Sequence, residues 1–257
     1  MSITSPGQFE KLRACGMIVG KALRAMAAVV RPGITTAELA RIGSCVLAKH
    51  GARSSPPMVY GFQGDVCISI NDEVVHGVPS GRVLQAGDLV KLDLTAELDG
   101  YHTDSAVSVE VPPARGQAHE LARCAERAFR QALGAARPGN RTKDIGRAVE
   151  REVRRRGFHV IKELGGHGIG RTIHEPPAVP NYADFSAQHI LTEGLVITIE
   201  PIIAAGTGEV ALDEDRWTYR TIDGSLSAHR AHPRDCQRRT DPAHSGMKLV
   251  LEAEPLL

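Results

Sequence analysis

Apolar positions along residues 9–30 recur with helical spacing, are entered through Ser5-Pro6 and stop at Arg31-Pro32-Gly33, which predicts one long helix. Thr35 or Thr36 can cap a second helix over residues 37–50. A loop containing Pro56-Pro57 and Gly61 is expected next, followed by a β-rich stretch over 66–70 and a segment over 71–79 that holds His76-Gly77. From Val90 the period changes to two: Val90, Leu92 and Leu94 alternate with Lys91, Asp93 and Thr95, the pattern of a half-buried strand. Asp99-Gly100 supplies a hairpin turn, and the chain returns through Tyr101, His102, Thr103 and Asp104. Asp93 and Asp104 are thus expected on partner strands, able to point the same way.

The second half repeats this plan. An apolar-periodic run over 118–136 stops at Arg137-Pro138-Gly139, and a capped helix over 142–157 follows. RPGITTAEL, from Arg31, matches RPGNRTKDI, from Arg137; AGDLVKLD, ending at Asp93, matches EGLVITIE, ending at Glu200, at nearly the same separation. A repeat this long implies two related half-domains rather than a solenoid. Asp93 and Glu200 then occupy equivalent strand ends and converge if the halves pack about a pseudo-twofold axis. The expected class is α+β.

Bulk properties narrow the function without naming it. Of 257 residues, 42% are hydrophobic and 24% charged, as in an ordinary soluble globular protein. A net charge of +1 gives no electrostatic reason to expect nucleic acid or anionic membrane as a partner. The arginines between 151 and 156 fall in a helical pattern and read as a solvated face. The cysteines at 15, 45, 67, 124 and 236 form no CxxC pair, which points to a reducing compartment. With no secretion signal and no apolar run of membrane-spanning length, a cytoplasmic protein is expected.

The chemistry rests on acids and histidines. Two acids on one sheet face repel unless a shared proton, an arginine or a metal ion neutralises them; the plain alternative is a pair of solvated edge carboxylates. Convergence of Glu200 favours the metal. Gly165-Gly166-His167-Gly168-Ile169-Gly170 sets a histidine where backbones can approach closely. A dinucleotide loop is excluded there, because RTIHEPPAVPN follows with three prolines instead of a helix. His174 stands beside Glu175-Pro176-Pro177, and Glu200 precedes Pro201, which holds it extended. Asp93, Asp104, His167 and Glu200 give three hard oxygen ligands and one imidazole, suited to divalent first-row ions and able to bridge two of them. Cys67 reads as apolar packing rather than a nucleophile.

At this point the chain resembles type I methionine aminopeptidases, of the pita-bread metallopeptidase family, over residues 9–232. The motifs that carry the resemblance are CISINDEVVHG (67–77), KLDLTAELDGYHTDS (91–105), GGHGIGRTIHEPP (165–177), ITIEP (197–201) and SLSA (225–228). With no long insertion before ITIEP and no N-terminal extension, it looks like the short bacterial form. The resemblance implies a single catalytic domain with two pseudo-twofold-related halves, about 9–112 and 116–232, and a central curved antiparallel sheet covered by helices. It implies that Asp93, Asp104, His167 and Glu200 ligate two divalent ions (Co, Mn, Fe or Zn). It makes His76 and His174 contacts of the scissile bond, and Phe62, Cys67 and Trp217 pocket residues. Ile173 stands where the family usually has Phe. The implied reaction is hydrolysis of the first peptide bond of nascent chains starting with Met, met at the ribosome by a monomer. Glu200 shuttles a proton, while His76 and His174 steady the amide and the developing oxyanion.

The match breaks after SLSA. The family places two residues and then Glu-His-Thr, whereas this chain has His229-Arg230 and then Ala231-His232-Pro233. The missing Glu is the family's bridging fifth ligand, so weak or absent activity and low stability are expected. PRDCQRRTDPAH is too charged and proline-rich for a central strand. A one-base shift of reading frame near Arg230 would restore Glu-His-Thr and an apolar strand, which makes 233–257 a frame-shifted tail. Divergence to an inactive homologue, a binding protein on the same fold, is the alternative. The nucleotide sequence decides between them.

Overall fold

The computed structural model describes residues 1–113 and 116–235. The first half runs α1 (Pro6–Ala27), α2 (Thr36–Lys49), β1 (Arg53–Ser54), α3 (Ser55–Tyr60), β2 (Cys67–Ile70), β3 (Glu73–Val75), β4 (Leu89–Leu98) and β5 (Tyr101–Glu110). The second runs α4 (Gly116–Ala135), α5 (Thr142–Arg155), β6 (His159–Val160), β7 (Gly165–Gly168), β8 (Glu175–Pro180), β9 (Val196–Ile199) and β10 (Ile202–Ala204). Then come β11 (Val210–Leu212), β12 (Tyr219–Thr221), β13 (Ser227–His229) and β14 (His232–Asp235).

Local chemistry sets the helix ends. Ser5 accepts from Gln8 N at the start of α1, with Pro6 in the first turn, where its missing N–H costs nothing. Thr35, not Thr36, caps α2, in a reciprocal box with Glu38. Residues 55–60, expected as loop, form α3 instead. Pro56 and Pro57 preset helical φ in its first turn, and Gly61 ends it at φ 72°. On α5 the arginines behave as expected of a solvated face, with Arg155 and Arg156 folding back onto the buried Glu152.

Each half has its own core. Leu23 and Leu39 of α1 and α2 pack with Ile68 and Leu92 of β2 and β4. Leu121 and Val149 of α4 and α5 pack with Ile197 and Ile203 of β9 and β10. Among the described residues the mixture of helix with exclusively antiparallel strand pairs bears out the expected α+β class. The sheet is divided into four short ones: β1-β4-β2 with β5 on β4, β13-β10-β6, β11-β12-β3, and β14-β9-β7-β8. The halves are joined at Ala106 and Ala231, whose backbones exchange two hydrogen bonds of 3.1 Å. Ser108 adds bonds of 2.9 Å to the backbone N–H and carbonyl of His229.

The β4–β5 hairpin turns at Asp99 and Gly100, with φ of 51° and 78°, and pairs ten residues on each side. The sequence after Ala231 departs from expectation. His232–Asp235 does form a strand, pairing Pro233 with Thr198 of β9 and covering that edge. It lies at the end of its sheet, where proline's missing N–H is tolerated. The remainder of the proposed frame-shifted tail, 236–257, is outside the described residues, as is Cys236. Among the described residues, no helix is long and apolar enough to cross a membrane.

Candidate metal centre

Strand register builds the first half of the site. Asp93 pairs with Ala106 of β5 and Cys67 of β2, and Asp104 pairs with Thr95 of β4. Residues two apart share a face, so Asp93, Asp104, Cys67 and Ala106 lie together. Asp93 is inside β4 rather than at its end. The second half supplies His167 on β7 and Glu200 just past β9. Here the glycines act as expected: a Cβ on Gly166 would lie 2.3 Å from the Thr198 carbonyl oxygen, so only glycine lets β7 approach β9 this closely. Thr198 Oγ1 accepts from His167 N at 2.9 Å, and Asn181 Nδ2 donates to the Glu200 carbonyl at 2.7 Å. Backbone on both sides of the cluster is therefore held by side chains.

Asp104, His167 and Glu200 bring ligand atoms within 4.8 Å of one another. His167 Nε2 is 3.2 Å from Glu200 Oε1 and 3.9 Å from Asp104 Oδ2. Asp93 is outside this tight trio but borders it, and its acidity responds to Asp104 and Glu200. Burial, Asp104 and Glu200 push the Asp93 carboxyl well above the usual range. Burial and Glu200 raise Asp104 to about 6, against the pull of His167 and His229. Burial raises Glu200 too, but His167 and His229 hold it below the ordinary carboxylate value. Burial lowers His167, yet Glu200 and Asp104 outweigh it and take the imidazole up to about 9. Among the described residues, no lysine or arginine forms an ion pair with these acids.

Of the remaining expected residues, His174, His76 and Cys67 lie near this trio. The His174 ring lies 4.1 Å from that of His167. Burial, then His167 and His76, lower His174 to about 4, although part of the ring stays exposed. His76 adopts a left-handed φ of 59°, strain that Gly77 allows by packing against the Ile68 carbonyl, where a Cβ would sit at 2.3 Å. Phe62 and Trp217 meet edge to face at 5.3 Å. Cys67 is buried, and burial with Asp93 and Asp104 raises its thiol well above the ordinary value, in keeping with packing rather than reactivity. Ile173 is buried.

Two residues escaped the sequence reading. Tyr60 Oη and His174 Nδ1 share a hydrogen bond of 2.5 Å, and His229 buries its ring beside Glu200, Nε2 to Oε2 3.5 Å. Ala231 is fully buried and pairs with Ala106, so its Cβ is on the face of Asp93 and Asp104.

The donor set fits a divalent cation. Asp104 Oδ1 and Glu200 Oε1 are buried without a hydrogen bond, a costly state for carboxylate oxygens that a cation would relieve. His167 Nδ1 donates to the Gly168 carbonyl at 2.8 Å, which leaves Nε2 as the atom facing the acids.

Comparison with known proteins agrees with this geometry. The description of metallopeptidase family M24 matches residues 10–223. Methionine aminopeptidase 2 of Bacillus subtilis (strain 168) is 42% identical over 234 residues, 90% of this chain and 94% of that protein. The crystal structure of methionine aminopeptidase from Thermotoga maritima superposes with a TM-score of 0.89 at 33% identity, covering 92% of this chain and 96% of that one. Its counterpart from Rickettsia prowazekii gives 0.88 at 32% identity, with the same coverage of both chains.

Proposed function

This chain belongs to metallopeptidase family M24, and from that premise we propose that it removes the N-terminal methionine of polypeptides by metal-dependent hydrolysis of their first peptide bond. The observation that carries the reading is the trio of Asp104, His167 and Glu200, the two acids buried and the histidine half-buried, with ligand atoms within 4.8 Å. Asp93, Asp104, His167 and Glu200 are the residues that would hold two divalent ions, Co, Mn, Fe or Zn. Bound there, the ions would supply Lewis acidity and a water acidified toward neutrality.

The protein's own groups account for the rest. With Tyr60 Oη donating to His174 Nδ1 in their shared hydrogen bond, the neutral ring would present Nε2–H as a hydrogen-bond donor for the substrate carbonyl oxygen as charge builds there. His76 lines the same opening and steadies the amide. Glu200, a carboxylate kept ionised by two histidines, is placed to take a proton from the attacking water and return it to the leaving amine. Phe62 and Trp217 form an edge-to-face wall for an apolar first side chain. Partners are chains beginning with Met, encountered in the cytoplasm at the ribosome by a monomer, with a small second residue preferred.

Ala231 supports a second reading, a binding protein on the same fold without catalysis, because a carboxylate at this buried position would face the cluster and alanine cannot. The experiment is release of methionine from a Met-Ala peptide by the purified chain loaded in turn with Co, Mn, Fe and Zn, beside Ala231→Glu. Slow release by the native chain and roughly tenfold or faster release by Ala231→Glu are expected. No release from either, with metal bound, leaves the binding protein.

A further inference from the structure

Resting on the metal-centre reading above, we propose that His229 is an additional cation ligand, offering Nε2 to the site formed by Asp104, His167 and Glu200. His229 ends β13, where it pairs with Ile202, so its ring enters beside the turn that carries Glu200. The residue is 2% exposed, and neither ring nitrogen makes a hydrogen bond. Buried imidazoles are ordinarily matched on at least one nitrogen, and this one is aimed at a carboxylate without bonding it: Nε2 stands 3.5 Å from Glu200 Oε2. On the other oxygen of the same carboxylate, His167 Nε2 stands 3.2 Å from Oε1. Two imidazoles thus flank Glu200. Four buried donor-set atoms with no hydrogen bond, Asp104 Oδ1, Glu200 Oε1 and both nitrogens of His229, collect around it. A cation among them would satisfy three of the four at once.

The strand pairing explains why this histidine is available. Ser108 clamps the backbone of His229 on both sides, and Ala231 follows two residues later on the face of Asp93 and Asp104 with no ligand to offer. A second imidazole in place of another carboxylate lowers the negative charge of the donor set by one. It also replaces a hard oxygen with a borderline nitrogen. The site therefore holds one ion firmly rather than two equally, and it favours Zn or Co over Mn more strongly than an all-carboxylate complement does.

X-ray absorption of the full chain, stripped and reloaded with one equivalent of Zn, reads the ligands directly. Two imidazoles in the outer-shell scattering are the expected result, and one imidazole overturns the proposal. Failure to bind Zn at all instead overturns the metal-centre reading on which it rests. Calorimetric titration of His229→Gln, with melting of the metal-free protein as the check on folding, should show Zn affinity reduced at least 30-fold and Mn affinity less than 5-fold. Zn affinity equal to that of the native chain also overturns it. Should His229→Gln not fold, the absorption result on the native chain decides.

Discussion

His167 and Gly168 are joined by a hydrogen bond that folds back on their own backbone, Nδ1–H to the carbonyl oxygen at 2.8 Å. The bond orients the ring and directs Nε2 at Asp104 and Glu200. Without a cation those acids keep the imidazole protonated up to about pH 9. A bound cation needs the neutral ring, so loading should release at least one proton at pH 7, and apparent affinity should rise at least about tenfold per pH unit below 9. The folded pKa is raised. The stability that the proton lends the metal-free fold is therefore complete below the ordinary histidine value near 6.5 and lost as pH climbs through 9. Calorimetry in buffers of different ionisation heat counts the proton; a pH-independent affinity would contradict the assignment.

Tyr60 is hydrogen-bonded to His174 Nδ1, and burial with the neighbouring His167 lowers that imidazole to about 4. Tyr60→Phe removes the hydroxyl that, donating to Nδ1, would leave the hydrogen on Nε2. A loss of roughly tenfold in kcat with KM nearly unchanged is expected, of the size attached to a weakened oxyanion contact. Steady-state kinetics on a Met-Ala peptide would show it, and a pure KM effect would place Tyr60 in binding instead.

Gly166 permits β7 to approach β9 to the distance at which His167 and Glu200 meet. Gly166→Ala would drive a methyl group into the Thr198 carbonyl and should cost about 2–3 kcal/mol. Urea denaturation measures the cost. Metal affinity should fall with it, since the same strand carries His167.

Lys91 is 1% exposed, with Nζ donating to the Asn71 carbonyl at 2.7 Å. Burial lowers it to about 7, against the attraction of Glu73 and Asp72. Between pH 7 and the ordinary lysine value the unfolded chain holds a proton that the folded chain lacks, so stability should rise with pH across that window. Lys91→Met should flatten the rise and stabilise the protein at pH 7 by about 1–3 kcal/mol. The Asn71 carbonyl still accepts from Ser227 N and Oγ. Urea denaturation at pH 7 and pH 9.5 distinguishes the two forms.

Asp93 and Asp104 were legible because a strand's period of two determines facing without knowledge of the fold, and the duplication led to Glu200. His167 was marked by glycines whose purpose, close backbone approach, survives in the structure. Tyr60 was hidden because its partner, His174, is 114 residues away, and no local pattern spans that distance. His229 was hidden differently: it belongs to no motif in the sequence, and what brings its ring to Glu200 is the pairing of β13 with β10. The strand at His232–Asp235 was missed because composition argues against a central strand, whereas edge position is a property of topology.

Each half packs its own core, yet the first contributes Asp93 and Asp104 and the second His167 and Glu200. Neither half alone can close its grip on a cation. Asp104 comes from the first half and His167 and Glu200 from the second, so a single half would need a second copy across a symmetry axis to assemble a comparable donor set.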